Sequence, residues 1–360
     1  MNLLFLTCGT EDPGTRFRAA QFFPYLEAEG FRCFHRGAYG PRYNDVFDVP
    51  GIGAAYKVAA RGKRAAYGLW AARFDAVFLQ RLAFDGSSFP EAVLARVNPR
   101  MILDVDDAIF LNPNNGRESA RRSRAFRGAV GRAAHVIAGN RFLAGHADAP
   151  EKTTVIPTVI DTERYVPPRD RTPASRLVIG WMGTAGNFKY FGPLLPAIEQ
   201  LLAERPDLVF RIVSNGTFGE LERHPQVEQV RWSEAAEIQE LTGFDIGVMP
   251  LVDSAWTRGK NGFKLIQYMA VGAAAVASPV GVNAEIADGG RAALLASSSA
   301  EWYQALTRLC HDAALRRQLG ESARRRIVEH YSIASVLGTY LDLFSRVAGG
   351  GPRNRISGSA

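Results

Sequence analysis

Short runs of apolar, often β-branched residues alternate along the chain with longer stretches in which apolar positions recur every three or four residues. That alternation predicts strands joined by crossover helices, hence parallel sheets of the α/β class. In the first half the strand-like runs are LLFLT (3–7), AVFLQR (76–81), MILDVD (101–106), HVIAGN (135–140) and TTVIPTV (153–159). The segment TRFRAAQFFPYLEAEG (15–30) places Phe17, Phe22 and Leu26 on one side and predicts one helix closed by Gly30. Apolar periodicity stops in VIDTERYVPPRDRTPASR (159–176), where prolines and charges take over. A second series follows, with strand runs RLVIGWMG, VFRIVSNG, VEQVRW, DIGVMPL, AAAVASP and AALLAS. Between its first two lies a helix marked by Leu194, Leu195, Ile198, Leu201 and Leu202.

The chain has 360 residues, and at about 150 residues per domain this predicts two. The expected division is a first domain at 1–160, a linker at 161–176, a second domain at 177–330 and a final helix at 331–347. The tail 348–360 is rich in Gly and Ser, has no apolar pattern and is expected to be disordered.

Composition adds little to this picture and charge adds more. Hydrophobic residues make up 47% and charged residues 22%, the balance of a globular protein. The formal net charge of +7 favours anionic partners such as phosphates or an acidic membrane surface. Much of the excess lies in 116–132 and 315–331, both with helical spacing, which read as solvated helix faces or as contacts for anionic lipid head groups. The basic residues are not interleaved with aromatics as in a nucleic-acid reader, so no nucleic acid is expected. Three cysteines without a CxxC pair suit a reducing cytoplasm. No apolar run approaches the roughly 18 residues that span a bilayer, so a soluble cytoplasmic protein, or one peripheral at the inner membrane face, is expected.

In open α/β sheets ligands bind beyond the carboxyl ends of strands, where glycine loops open helices. GTAGNFKYFG (183–192) is one such loop, with Gly183 and Gly186 able to admit a phosphate or merely to make a turn. The stretch GKNGFKLIQYMAVGAAAVASPVG (259–281) is more pointed. It sets Lys260 and Lys264 at the start of a largely apolar helix, whose N-terminus already carries about half a positive charge. A bound anion would reverse that penalty, and snorkelling to solvent is the alternative. Lys264, Gln267 and Tyr268 fall within about 100° of arc, a polar strip on a buried helix. In MILDVDDAIF, alternation puts Asp104 and Asp106 on one side and Asp107 on the other, as candidates for a metal, sugar hydroxyls or a cap. No HExxH spacing links the six histidines and no GxSxG is present, so neither a zinc site nor a hydrolase nucleophile is expected.

Together these residues resemble the nucleotide-sugar-dependent glycosyltransferases of the GT-B fold, retaining family 4 type (glycosyl transferases group 1). The resemblance is clearest from Arg176 to Phe344 and most specific in GFDIGVMPL and GKNGFKLIQYMAVGAAAVASPVGVNAEIADG. It implies two Rossmann-like domains with parallel sheets facing across a cleft, the donor held by the second domain, the acceptor by the first, and the final helix crossing back to the first. Carried over by position, Gly262, Phe263 and Leu265 would offer backbone N–H groups, and Lys260, Asn261 and Lys264 would lie at the diphosphate. Gln267 would face the ribose, and Val280 and Gly281 would lie near the sugar. Lys189 matches a lysine of the family; Gly183 precedes Thr184, which stands where an arginine is common. Gly259 and Gln267 stand where the family has a pair of glutamates, and Asp106 where it has a histidine near the reacting sugar.

The resemblance implies glycosyl transfer with retention, with a nucleoside diphosphate sugar as co-substrate and no cofactor or metal ion. Lys264 and Lys189 would stabilise charge on the leaving phosphate, and Asp106 would orient the sugar or acceptor. Arg16 and Arg18 would hold an anionic acceptor or brace the domain; with Thr10 and Asp107 they are assigned to the acceptor side. The acceptor class is a glycan, a lipid-linked sugar or a small molecule. The replaced glutamate and arginine keep two alternatives open: a GT-B module that binds without transfer, and a nucleotide-sugar epimerase.

Overall fold

The computed structural model describes residues 1–10, 12–40, 49, 51–84, 86–113, 115–168 and 176–349. The expected tail from 350 on, and 169–175 of the expected linker, lie outside the described residues. The chain forms two compact units, Met1–Thr158 with the chain from Val336 on, and Val159–Ser335.

The first unit is built on a six-stranded parallel sheet in the order β2-β1-β3-β4-β5-β6. Its strands are β1 (Asn2–Gly9), β2 (Arg32–Tyr39), β3 (Ala76–Gln80), β4 (Met101–Val105), β5 (His135–Ala138) and β6 (Thr153–Val155). Strand addition reverses direction at β1, so the carboxyl ends of β1 and β3 flank the switch point where open sheets bind ligands. Leu3 to Leu6 of β1 are fully buried, and the Phe5 ring packs on Phe23, Phe78 and Phe344. Phe344 belongs to the final helix, Ile333–Val347, in which Tyr340 also stacks on Phe22 at 4.3 Å. Burying each such side chain stabilises the unit by about 1.5–3 kcal/mol.

Three features of this unit depart from expectation. The single helix over 15–30 is a helix Pro13–Arg18, a 3-10 turn Ala20–Phe22 and a helix Phe23–Ala28. Pro24 is the reason: it lacks an N–H and its ring clashes with the carbonyl four residues back, so it fits only in a new first turn. The chain still leaves the helix through Gly30, in the left-handed region at φ 81°. Strand β2 and the helix Ile52–Tyr67 drew no expectation.

The second unit repeats the plan in the order β12-β11-β10-β7-β8-β9, again parallel throughout. The strands are β7 (Leu177–Met182), β8 (Leu208–Ser214), β9 (Val227–Arg231), β10 (Ile246–Met249), β11 (Ala274–Ala277) and β12 (Leu294–Leu295). Ile198, Leu201 and Leu202 of the helix Leu195–Glu204 close one face with Trp302, Leu306 and Leu309 of the helix Ser299–His311. The switch point falls between β7 and β10. The described part of the expected linker packs into this unit: Tyr165 is buried, and Arg324 donates to the carbonyls of Tyr165 and Thr162.

Candidate active site

At the carboxyl end of β7 in the second unit, three loops meet. The loop 259–262 follows a four-residue helix, Ala255–Arg258, held by a reciprocal Ser254–Thr257 capping box. It ends at Gly262, whose φ of 64° turns the chain into the helix Phe263–Ala270. A side chain is disfavoured there by the left-handed backbone, and a Cβ would also come within 2.3 Å of Ile286 Cδ1. The N-cap glycine has no side chain to cap this helix and no acidic residue stands in its first turn, so the positive end of the dipole suits an anion.

Lys264 runs from that first turn to the end of β7. Its ammonium lies 5.6 Å from the centre of the Trp181 ring. A Cβ on Gly183 would lie 2.3 Å from Lys264 Cε, so the glycine makes room for the lysine. Lys189 and Lys260, from two different loops, lie 5.4 and 5.9 Å from the Tyr190 ring. The two motifs singled out by their glycines and lysines thus form one cluster on two aromatic rings, which hold ammonium groups in position. The third loop carries Val280, which is buried, and Gly281, which packs beside the Arg258 backbone. Asn261 and Phe263 are partly buried at the helix start, and Leu265 is core, leaving only its backbone to the site. Thr184 is held locally, its hydroxyl accepting from Asn187 Nδ2 at 2.7 Å.

The polar strip expected on this helix faces inward. Tyr268 is buried, its hydroxyl accepting from the Met182 N–H at 2.9 Å and tying the helix to the end of β7. Gln267 is buried and donates through Nε2 to Glu237 Oε1 at 3.4 Å. Glu237 also accepts from Trp232 Nε1 at 3.1 Å and from the Tyr165 hydroxyl. Sequence reasoning missed Glu237, Trp181 and Tyr190, each of which meets at least one partner distant in sequence: Tyr165 and Gln267, Lys264, and Lys260. It also missed Asn283, whose Nδ2 donates to the Ser278 carbonyl while its buried Oδ1 has no hydrogen-bond partner beside Gly262.

The first unit fills its switch point differently. Gln80, at the end of β3, accepts from the Cys8 N–H and the Thr15 hydroxyl and donates to Asp12. Arg81 follows in the left-handed region at φ 54° and donates to Asp106 at 2.6 Å, with Asp107 at 3.3 Å and Asp12 at 3.8 Å. Burial alone would raise the Asp106 pKa, but the Arg81 guanidinium outweighs it and holds the carboxyl below the usual range. Burial and the nearby Asp12 push the Cys8 thiol up to about 11, so it is no thiolate at neutral pH.

Arg18 requires a correction. Of its two expected roles, acceptor contact or brace, the first does not fit: it lies inside the unit, clasping Asp104 with Nε at 2.8 Å and donating to Ile156 and Thr158. Its role is to brace β4 and the end of the sheet. Asp104 and Asp106 lie near each other but are paired separately, Asp104 with Arg18 and Asp106, just past the end of β4, with Arg81. Arg16 is buried with its guanidinium 4.8 Å from the Phe17 ring, whereas Thr10 is exposed on the loop after β1.

Two units, each a parallel α/β sheet with glycine-lined loops at its switch point, define a GT-B architecture. Solved structures with this fold match along nearly the whole chain. Sucrose-phosphate synthase from Thermosynechococcus elongatus matches at TM-score 0.69 and 14% identity, covering 97% of this chain and 99% of its own. HepE of Anabaena, solved in complex with UDP, matches at TM-score 0.70 and 16% identity over 96% and 100%. A glycosyltransferase from Rickettsia africae ESF-5 matches at 0.68 and 13% over 97% and 99%. Residues 176–312 match the family model described as Glycosyl transferases group 1. The second unit therefore carries a glycosyl transferases group 1 segment, and the chain has the GT-B fold. No curated protein sequence matches it.

Proposed function

We propose that the protein moves a sugar from a nucleoside diphosphate sugar to a glycan, lipid-linked or small-molecule acceptor, with retention at the anomeric carbon and without a metal ion. The observation that carries this reading is the convergence of Lys189, Lys260 and Lys264 from two loops near the glycine-led helix start at Gly262. That cluster suits a diphosphate. As the glycosidic bond breaks, charge grows on the β-phosphate, and each well-aimed donor stabilises it by about 3 kcal/mol. The same phosphate oxygen accepts the proton of the acceptor hydroxyl on the face the leaving group departs from, so configuration is retained. The complexes of HepE with UDP and with UDP-glucose support a uridine nucleotide as the donor carrier.

Gln267 serves the ribose in this reading. Glu237 is an acceptor, so it takes the amide N–H groups and leaves the amide oxygen to accept from a ribose hydroxyl. In the first unit Asp106, fixed by Arg81, orients the sugar or acceptor, with Thr10, Arg16 and Asp107 on the acceptor side. No helix among the described residues is long and apolar enough to cross a membrane; contact with a lipid-linked acceptor is peripheral, at the inner face.

A thermal-shift screen with UDP, GDP, ADP and their sugars tests the donor. A ligand at a hundred times its Kd stabilises by about 2.7 kcal/mol, and the expected responder is UDP. Absence of any shift in the wild type, or an equal shift in Lys264→Ala, overturns the diphosphate assignment.

A further inference from the structure

On the first unit's helix Ile52–Tyr67 the usual amphipathic order is reversed. Its inward side carries Gly53, Ala60 and the charged Arg64, whose guanidinium donates to the carbonyls of Leu6 and Gln80. Its outward side carries Ala54, Ala55, Val58, Ala59, Gly62 and Ala66, all exposed. With Ile52 they fill about 160° of the helix without a polar side chain. Ile52 is 58% and Val58 66% exposed, and in the following turn, Gly68–Arg73, Leu69 is 61% and Trp70 54% exposed. Single exposed apolar residues are ordinary, but a contiguous stripe is an interaction surface.

The borders of the stripe are basic. Arg61 and Lys63 flank its two edges, with Lys57 and Arg73 nearby, and residues 49–74 contain five Lys and Arg and no Asp or Glu. Near its end the Lys63 ammonium and the Arg36 guanidinium lie 5.7 and 5.9 Å from the Tyr67 ring, itself 6.1 Å from the Trp70 ring. The helices Phe89–Val97 and Ala120–Arg132 continue this pattern. Phe89 is 72% exposed, the two helices hold six arginines, and their one acid, Glu91, is buried against the Ala83 N–H.

We infer that the Ile52–Tyr67 helix, with the turn after it, is the surface on which this protein rests on an anionic lipid bilayer. Apolar side chains enter the acyl boundary, the Tyr and Trp rings sit at head-group level, and the Lys63 and Arg73 stems lie along the stripe while their heads reach lipid phosphates. Charge selects this occupant. A second copy docked face to face would set one basic border against another, whereas anionic lipid complements both. The inference rests on the peripheral-membrane reading above and not on the donor or the transfer reaction.

Flotation of the full chain with vesicles of phosphatidylcholine, alone or with about one-third phosphatidylglycerol, tests it. The expected result is binding to the anionic vesicles only, weakening with salt. The triple substitution Val58→Glu, Leu69→Glu, Trp70→Glu should lower partitioning at least about tenfold, with an unchanged circular-dichroism melt. A wild type that floats with neither vesicle overturns the membrane reading and the surface together. A triple variant that binds like wild type overturns the surface alone. A wild-type dimer that the triple substitution splits, seen by sedimentation, overturns lipid in favour of a second copy.

Discussion

The two units share a sheet plan and use it in opposite ways. At the switch point of the second unit, lysines from two motifs rest on aromatic rings near a helix start led by glycine. At that of the first, arginines are closed against carboxylates: Arg18 on Asp104, and Arg81 among Asp12, Asp106 and Asp107. A π face positions a cation near the surface of its unit, whereas a buried carboxylate neutralises it in place. The same topology therefore carries a lysine cluster, the candidate anion site, in one unit and an internally paired lining in the other.

The largest effect should come from breaking the first unit's closed pair. Asp104→Ala leaves Arg18 charged and buried, and should destabilise this unit by about 3–5 kcal/mol. Replacing both partners, Arg18→Met with Asp104→Leu, should recover most of that loss. Chemical denaturation read by hydrogen exchange in β4 would show both; a mild Asp104→Ala would mean that Arg18 escapes to water.

Next in size is Lys264→Ala in the second unit. It should lower kcat/KM about 10²–10³-fold, typical of removing one transition-state donor, while leaving the melting temperature within a degree or two. The contrast is the point: one substitution costs fold and the other costs chemistry. Steady-state kinetics beside a melting curve would decide, and a large fall in stability would move Lys264 from the site to the scaffold.

These contrasts show why some of the site could be read from the sequence. Lys260, Gly262 and Lys264 are neighbours in sequence, and charge at the start of an apolar helix is a local contradiction that asks for a ligand. Arg81 and Glu237 offer no such signal, because their partners lie far along the chain: Asp106 is 25 residues from Arg81, and Tyr165 is 72 from Glu237. The strands of both sheets were visible as apolar runs except β2, an edge strand whose exposed Arg32, Phe34 and Arg36 give a mixed pattern. The Ile52–Tyr67 helix was missed for a related reason: its apolar face points outward and its buried face holds an arginine.

A pH titration separates the units in a third way. His135 in the first unit has its pKa lowered to about 4 by burial, and then by Arg346 and Lys152. The unfolded chain, near 6.5, therefore binds a proton first. Stability is fully present above pH 6.5, declines as pH falls towards 4, and is level below that; the loss is on the order of 1–3 kcal/mol. His135→Gln should flatten this slope in hydrogen exchange of β5 and leave the second unit's response unchanged. An unaltered slope would place the acid sensitivity elsewhere.

The smallest effect is the most discriminating for the donor site. Gln267 stands where the family resemblance implies a carboxylate, and the structure sets Glu237 against it at 3.4 Å. Gln267→Glu therefore should not improve the site: two carboxylates would share one buried space, and UDP affinity should fall about threefold to tenfold, or roughly 1 kcal/mol. Exchanging the pair, Glu237→Gln with Gln267→Glu, should restore the affinity, since an amide then faces a carboxylate again. Isothermal titration with UDP reads both. If Gln267→Glu alone tightens binding, the amide is a weakened version of the missing carboxylate and Glu237 is only a bystander. If the exchange rescues what the single change loses, the two residues act as one ribose-binding pair whose charge has moved from the helix to its neighbour.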